Sequence, residues 1–185
     1  KRIAEKIVQS KAVDSKVKYM AVRFGNVIGS SGSVIPTFQE QIRNGGPITL
    51  TDPGMKRYFM SISEAAQLIL QTGAMGFNGE IYVLDMGKPV NIKDIAYELI
   101  RLSGLEPEKD ILIEYIGSRP GEKMFEELKT KEENIVETNN EKIMMMKNGG
   151  GYNWDHILEE VSIIISSAKS YNTPKIIDSL KRFIP

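Results

Sequence analysis

Arg119, Pro120, Gly121 and Glu122 stand side by side in GSRPGEKMFEEL, residues 117–128. A guanidinium is a planar fork that matches the oxygens of a phosphate. Pro fixes one backbone angle and Gly frees the next, so together they turn the chain sharply. A carboxylate just beyond such a turn can accept hydrogen bonds from sugar hydroxyls, or serve as a first-turn charge for a helix. Helix capping explains Glu122 well and Arg119 poorly. A second candidate is RFGNVIGSSGSVIP, residues 23–36, a strand running into a Gly/Ser loop and then a helix. Gly25, Gly29 and Gly32 permit close backbone approach, and the helix offers its first amides to an anion. The spacing is neither GxGxxG nor GxxxxGK[ST], and a plain connector fits the composition equally. A third is Arg57 in MKRYFMSI, residues 55–62, where an arginine among apolar neighbours snorkels, pairs with a carboxylate or phosphate, or lies solvated at a strand edge.

The elements that must position these groups alternate between strand and helix, which argues for α/β architecture. Helical spacing of Ile3, Ala4, Ile7 and Val8 predicts a helix over 1–12. Val17, Tyr19, Ala21 and Val22 predict a buried strand. A helix follows over VIPTFQEQIRNGG and stops at Gly45-Gly46. Short strands PITLTD and KRYFMSI flank the DPGM turn. Ser63 with Glu64 opens another helix, residues 79–87 a compact apolar strand, and Asn91 caps a helix that stops at Gly104. Residues 110–117 alternate like a strand, EKMFEELK (122–129) reads as helix, and NEKIMMMKN as strand. After the GGGYNW break come two helices, the second opened by a Thr173 cap and Pro174. The Met144–Met146 run reads as core filler, and the alternating charges of ELKTKEEN as a solvated face.

Composition excludes several function classes. Of the 185 residues, 41% are hydrophobic and 26% charged, as in an ordinary globular protein. Lys plus Arg number 24 and Asp plus Glu 24, so the basic footprint of a nucleic-acid binder is missing. With no cysteine there is no disulfide framework, thiolate metal site or Cys nucleophile. The single His156 cannot anchor a metal cluster, and a buried or capping role is expected for it. No apolar run reaches the ~18–20 residues of a membrane-spanning helix. The chain opens on Lys1 already at helical spacing, with no Met and no cap, so a missing N-terminal part is expected.

Taken together, VRFGNVIGSSGSVIPTFQEQIRNGGPITLTDPGMKRYFMSISEAAQLILQTGAMGFNGEIYVLDMG and the later RPGEKMFEEL resemble the polysaccharide-biosynthesis nucleotide-sugar dehydratases. These are extended short-chain dehydrogenase/reductases that act as UDP-N-acetylglucosamine 4,6-dehydratases. The resemblance runs from Lys1 to about residue 148, and residues 149–185 resemble the end of the long, membrane-anchored branch. It implies the C-terminal part of a Rossmann fold over 1–45, a smaller nucleotide-sugar-binding α/β domain mainly over 46–148, and a helical extension over 149–185. Strand 79–86 would return to the Rossmann sheet.

The resemblance also implies roles. The family pairs a Tyr (a Met in the long branch) with a Lys one helical turn later; Lys1 fits that Lys, as the catalytic group that also meets the nicotinamide ribose. Phe24 would lie near the nicotinamide of NAD or NADP, whose binding fingerprint is not in this sequence. Asn26 would contact the sugar or diphosphate, and Ser33, Val34, Ile35 and Pro36 would border the uracil. Arg57 and Arg119 would flank the diphosphate and Glu122 would meet the ribose. The expected partner is a UDP-sugar, with no nucleic acid and a membrane reached only through upstream segments. A homo-oligomer is expected, because strands 17–24 and 79–86 would otherwise expose edges, as is a cytoplasmic location. The alternatives are a nucleotide-sugar epimerase of the same superfamily and a non-catalytic nucleotide-binding or interaction module.

Overall fold

The structure, a computed structural model, describes residues 1–13, 15–30, 32–128, 133–147 and 153–183. Along the chain lie α1 (Arg2–Ala12), β1 (Ala21–Arg23), β2 (Asn26–Val27), α2 (Val34–Arg43), β3 (Ile48–Leu50), β4 (Lys56–Arg57), β5 (Phe59–Met60) and α3 (Ile62–Met75). Then come β6 (Ile81–Leu84), β7 (Val90–Asn91), α4 (Ile92–Leu102), β8 (Ile113–Tyr115), β9 (Ile135–Glu137), β10 (Ile143–Met146), α5 (Trp154–Lys169) and α6 (Thr173–Phe183). They form two compact units. One comprises Lys1–Arg23, Gln71–Val83 and Glu132–Pro185; the other comprises Phe24–Leu70 and Leu84–Lys131.

The first unit is built on a mixed sheet of order β1-β6-β10-β9. β1 runs parallel to β6, with Ala21 opposite Ile81, and β9 and β10 are antiparallel, with Met145 opposite Val136. Every residue of β6 is buried, as expected for a central strand covered on both faces. α1 packs on α5, where the Lys11 ammonium lies 4.2 Å from the Trp154 ring centre.

Charge ties three distant stretches of this unit together. The Arg23 guanidinium donates to both oxygens of Glu5 at 2.6 and 2.7 Å, and to Glu133 at 2.8 and 3.2 Å. Arg2 adds a further bond to Glu133. The hydrogen bonds that Glu5 accepts hold the Arg23 guanidinium in its charged form, raising its pKa against the opposing effect of burial.

The second unit closes over Phe38, Ile42, Ile48, Leu50, Met55, Ile92, Ala96, Ile100 and Ile111. Burying each larger apolar side chain here contributes about 1.5–3 kcal/mol. α2 and α4 pack together over the parallel β3–β8 pair, in which Ile48 faces Ile113. α4 starts where the Asn91 side chain accepts the Lys93 N–H at 2.8 Å, as the sequence predicts.

Four local expectations are corrected. Residues 122–128 form no helix; the Lys56 N–H and the Arg57 guanidinium bind the Met124 carbonyl, and Arg57 binds that of Lys123 as well. Tertiary bonds thereby override helical spacing, and of the helical pattern the i,i+4 pair Lys123–Glu127 remains. The cap of α3 is Ser61, which accepts the Glu64 N–H at 3.1 Å; Ser61 and Glu64 have capping-box spacing, and Ser63 lies inside the helix. The cap of α6 is Asn172, which accepts the Lys175 N–H, leaving Thr173 and Pro174 in the first turn. His156 is exposed; its backbone N–H joins the Asn153 cap. In addition, the strand expected from Val17 is short: Val17 is 63% exposed and pairing starts at Ala21.

Arg23→Met leaves two mostly buried carboxylates without their shared cation and costs about 3–5 kcal/mol in urea unfolding. Adding Glu5→Gln and Glu133→Gln recovers most of that loss. Full stability of Arg23→Met alone would contradict the clamp.

Candidate functional site

A hollow of about 220 Å³ opens in the second unit. Its apolar lining comes from Val34 and Phe38 of α2, Leu50 of β3, Met55, and Ile92 of α4. Its polar lining comes from Asn26, Thr49, Thr51, Arg57 and Glu122. These residues are brought together by three different devices.

Asn26 is held by β2, which runs parallel to β5; the Asn26 N–H reaches the Tyr58 carbonyl at 2.9 Å. That close approach requires Gly25. A Cβ at position 25 would sit 2.9 Å from Tyr58 Cβ and 3.2 Å from Met86 Cε. Val34 opens α2 after Ser33, whose extended backbone (φ −80°, ψ 167°) places it as the N-cap. The Ser33 hydroxyl is buried, makes no cap bond and has no hydrogen-bond partner among the described residues. An orphaned hydroxyl beside helix N-terminal amides is an unfilled polar position of the kind a ligand oxygen can satisfy.

Arg57 is the strap of the site. Nη1 donates to the carbonyls of Lys56 (2.8 Å) and Met124 (3.0 Å), and Nη2 to that of Lys123 (2.6 Å). Nε lies 3.6 Å from the Glu126 carboxylate, and the Arg57 side chain is only 11% exposed. Of the five guanidinium N–H groups, one on Nη2 remains beyond these contacts. Glu122 is fixed by a neighbouring device. Gly121 takes φ +84°, a left-handed turn that suits glycine. The turn lets the Arg119 N–H reach Glu122 Oε2 at 3.1 Å, while Thr51 Oγ1 lies 3.4 Å from Glu122 Oε1.

Of the residues singled out from the sequence, Asn26, Val34, Arg57 and Glu122 line this hollow. Ser33, Ile35 and Pro36 are half-buried at the start of α2. Arg119 is exposed and is not among the lining residues. Phe24 is half-buried at the start of the second unit, and Lys1 is exposed at the N-cap of α1 in the first, its side chain capping nothing. Sequence reasoning missed Thr49 and Thr51. The signal was the alternation in ITLT, where Ile48 and Leu50 go into the core and the threonines take the other parity. Among the described residues no cluster of three metal-ligating side chains occurs, and no helix is long and apolar enough to cross a membrane.

This architecture is that of the extended short-chain dehydrogenase/reductases. It resembles the X-ray structure of Pen from Bacillus thuringiensis, with a TM-score of 0.70 and 34% identity over 79% of this chain and 46% of that one. It shares its fold with DesIV, a dTDP-glucose 4,6-dehydratase from Streptomyces venezuelae determined with NAD and TYD bound, with a TM-score of 0.58 and 18% identity over 66% of this chain and 38% of that one. Residues 1–148 match the family described as "Polysaccharide biosynthesis protein", and the chain belongs to that family. It is 60% identical over 134 residues to the capsular polysaccharide biosynthesis protein CapD of Staphylococcus aureus, a match covering 72% of this chain and 22% of CapD. The chain thus spans about a fifth of that relative's length.

Arg57→Ala removes three carbonyl partners and frees residues 123–126. Each such bond to a charged donor is worth about 1.5–3 kcal/mol. Tryptic cleavage after Lys123 should accelerate at least about tenfold, because cleavage tracks the open population. Arg57→Lys should restore less than half of the protection, since one ammonium cannot span successive carbonyls. An unchanged cleavage rate in Arg57→Ala would contradict the strap.

Proposed function

We propose that this chain carries the nucleotide-sugar-binding part of a UDP-N-acetylglucosamine 4,6-dehydratase of surface polysaccharide biosynthesis. The observation that supports it is the convergence of Asn26, Val34, Arg57 and Glu122, from four separate stretches, on one hollow. At about 220 Å³ it is smaller than the ~300–1,000 Å³ of whole-ligand pockets, and it suits the nucleoside end of a larger substrate. In this reading Val34 and its neighbours Ser33, Ile35 and Pro36 border the uracil, and Glu122 accepts from the ribose. Arg119, exposed on its turn, supplies the fork for the diphosphate; Arg57 contributes its remaining N–H and the rigidity of the 123–126 segment. Asn26 meets the sugar or diphosphate.

Bound NAD or NADP would supply the hydride chemistry of the reaction, the uptake of hydride from sugar C4 and its delivery to C6. Between those events the C4 ketone acidifies the C5 proton and water leaves from C6. The chemistry of Lys1 fits a place beside that cofactor: its ammonium is exposed and caps nothing. In that role it would hydrogen-bond the nicotinamide ribose and electrostatically favour loss of the C4 hydroxyl proton. Phe24 would lie near the nicotinamide. The Gly-rich dinucleotide fingerprint is not in this sequence. A homo-oligomer in the cytoplasm completes the reading.

The longest natural form of the protein, given UDP-N-acetylglucosamine and NAD(P)+, should yield a 4-keto-6-deoxy sugar nucleotide, identified by mass and NMR. Arg119→Ala should weaken UDP binding about tenfold or more in calorimetry without changing the unfolding midpoint. A C4 epimer as sole product would contradict the dehydratase reading and favour an epimerase. Failure of this longest form to bind UDP would contradict the nucleotide-sugar site altogether.

A further inference from the structure

We propose that Thr51 is a positioning residue that sets the plane of the Glu122 carboxylate, and so determines how strongly the site prefers a ribose over a deoxyribose. The inference rests on the nucleotide-sugar reading of the hollow. Both oxygens of Glu122 have a donor on the protein side: Oε2 accepts from the Arg119 N–H at 3.1 Å, and the Thr51 hydroxyl lies 3.4 Å from Oε1. The other neighbour of that hydroxyl is Met55 Sδ at 3.3 Å. A thioether is a weak acceptor beside a carboxylate, so we assign the proton to Glu122.

Each carboxylate oxygen has about two lone-pair directions. With one occupied on each, a second stays open on each, and Thr51 and Glu122 both line the hollow. Two adjacent acceptors in one fixed plane match the two vicinal hydroxyls of a ribose. A carboxylate tethered at one oxygen only can rotate about its last torsion, which is broad for such groups. It then accepts from one hydroxyl about as well as from two. Removing the Thr51 hydroxyl should therefore change discrimination more than affinity.

The test is calorimetric titration of the protein with UDP and with 2′-deoxy-UDP. The wild type should bind UDP about tenfold more tightly, the effect of a charge-assisted hydrogen bond. Thr51→Val, close to isosteric, should reduce the preference to less than about threefold, and Thr51→Ala should do the same if the valine variant fails to fold. Thr51→Ser should retain it. General damage to the fold would weaken both nucleotides alike and leave the ratio unchanged, as a merely structural role for Thr51 requires. A wild-type ratio in the Val or Ala variant, loss of the ratio in Thr51→Ser, or equal binding of the two nucleotides by the wild type would overturn the inference while leaving a nucleotide site in place. Absence of UDP binding by the wild type would instead remove the reading beneath it.

Discussion

One guanidinium holds the site together. Arg57 sits on a strand of two residues, too short to fix anything by its ladder bonds alone. By gripping the carbonyls of Lys123 and Met124, it ties the stretch after the Arg-Pro-Gly-Glu turn to β4. Glu122, one residue before the first of those carbonyls, is thereby brought to a hollow whose other walls come from residues 26–57 and Ile92. The bonds are charge-assisted and come from a side chain only 11% exposed, so they count for more than exposed ion pairs of the same length. The same grip accompanies the missing helix: the Met124 carbonyl already accepts from both the Lys56 N–H and Arg57.

The two units hold their shapes by different means. The second relies on an apolar core between helices and a parallel strand pair, with Ile48, Ala96 and Ile100 fully buried. The first adds a closed set of charges, Arg2 and Arg23 against Glu5 and Glu133. Such sets contribute less net stability than their bond count suggests, because each ion gives up hydration. They join α1, β1 and the approach to β9 through shared partners. Arg23 immediately precedes Phe24, so the clamp also fixes the point at which the chain leaves the first unit.

Much of this was legible in the sequence wherever a local rule governs. Asn91 had to cap, the apolar run at 81–84 had to be a buried strand, and α2 had to stop before Gly45-Gly46. The alternation of strand and helix pointed to the fold class, and the resemblance carried by the quoted stretches pointed to the family. Illegible was anything fixed by distant partners. The EKMFEELK pattern is helical by periodicity, but its Lys123 and Met124 carbonyls accept from the distant Lys56 and Arg57. Thr49 and Thr51 looked like ordinary strand residues because their partners, Gln41 and Glu122, are set by folding. Arg119 and Arg57 looked alike in the sequence, yet one is exposed and the other is largely committed to backbone carbonyls.

The account's central claim is that the hollow of the second unit receives the nucleotide. Hydrogen–deuterium exchange of the protein with and without saturating UDP tests it directly. Binding there predicts slower exchange in peptides covering 26–38, 48–57 and 119–126 together, since these line the hollow or are strapped to it. Slower exchange confined to the first unit, or none in any of these three stretches while UDP is bound, would contradict it.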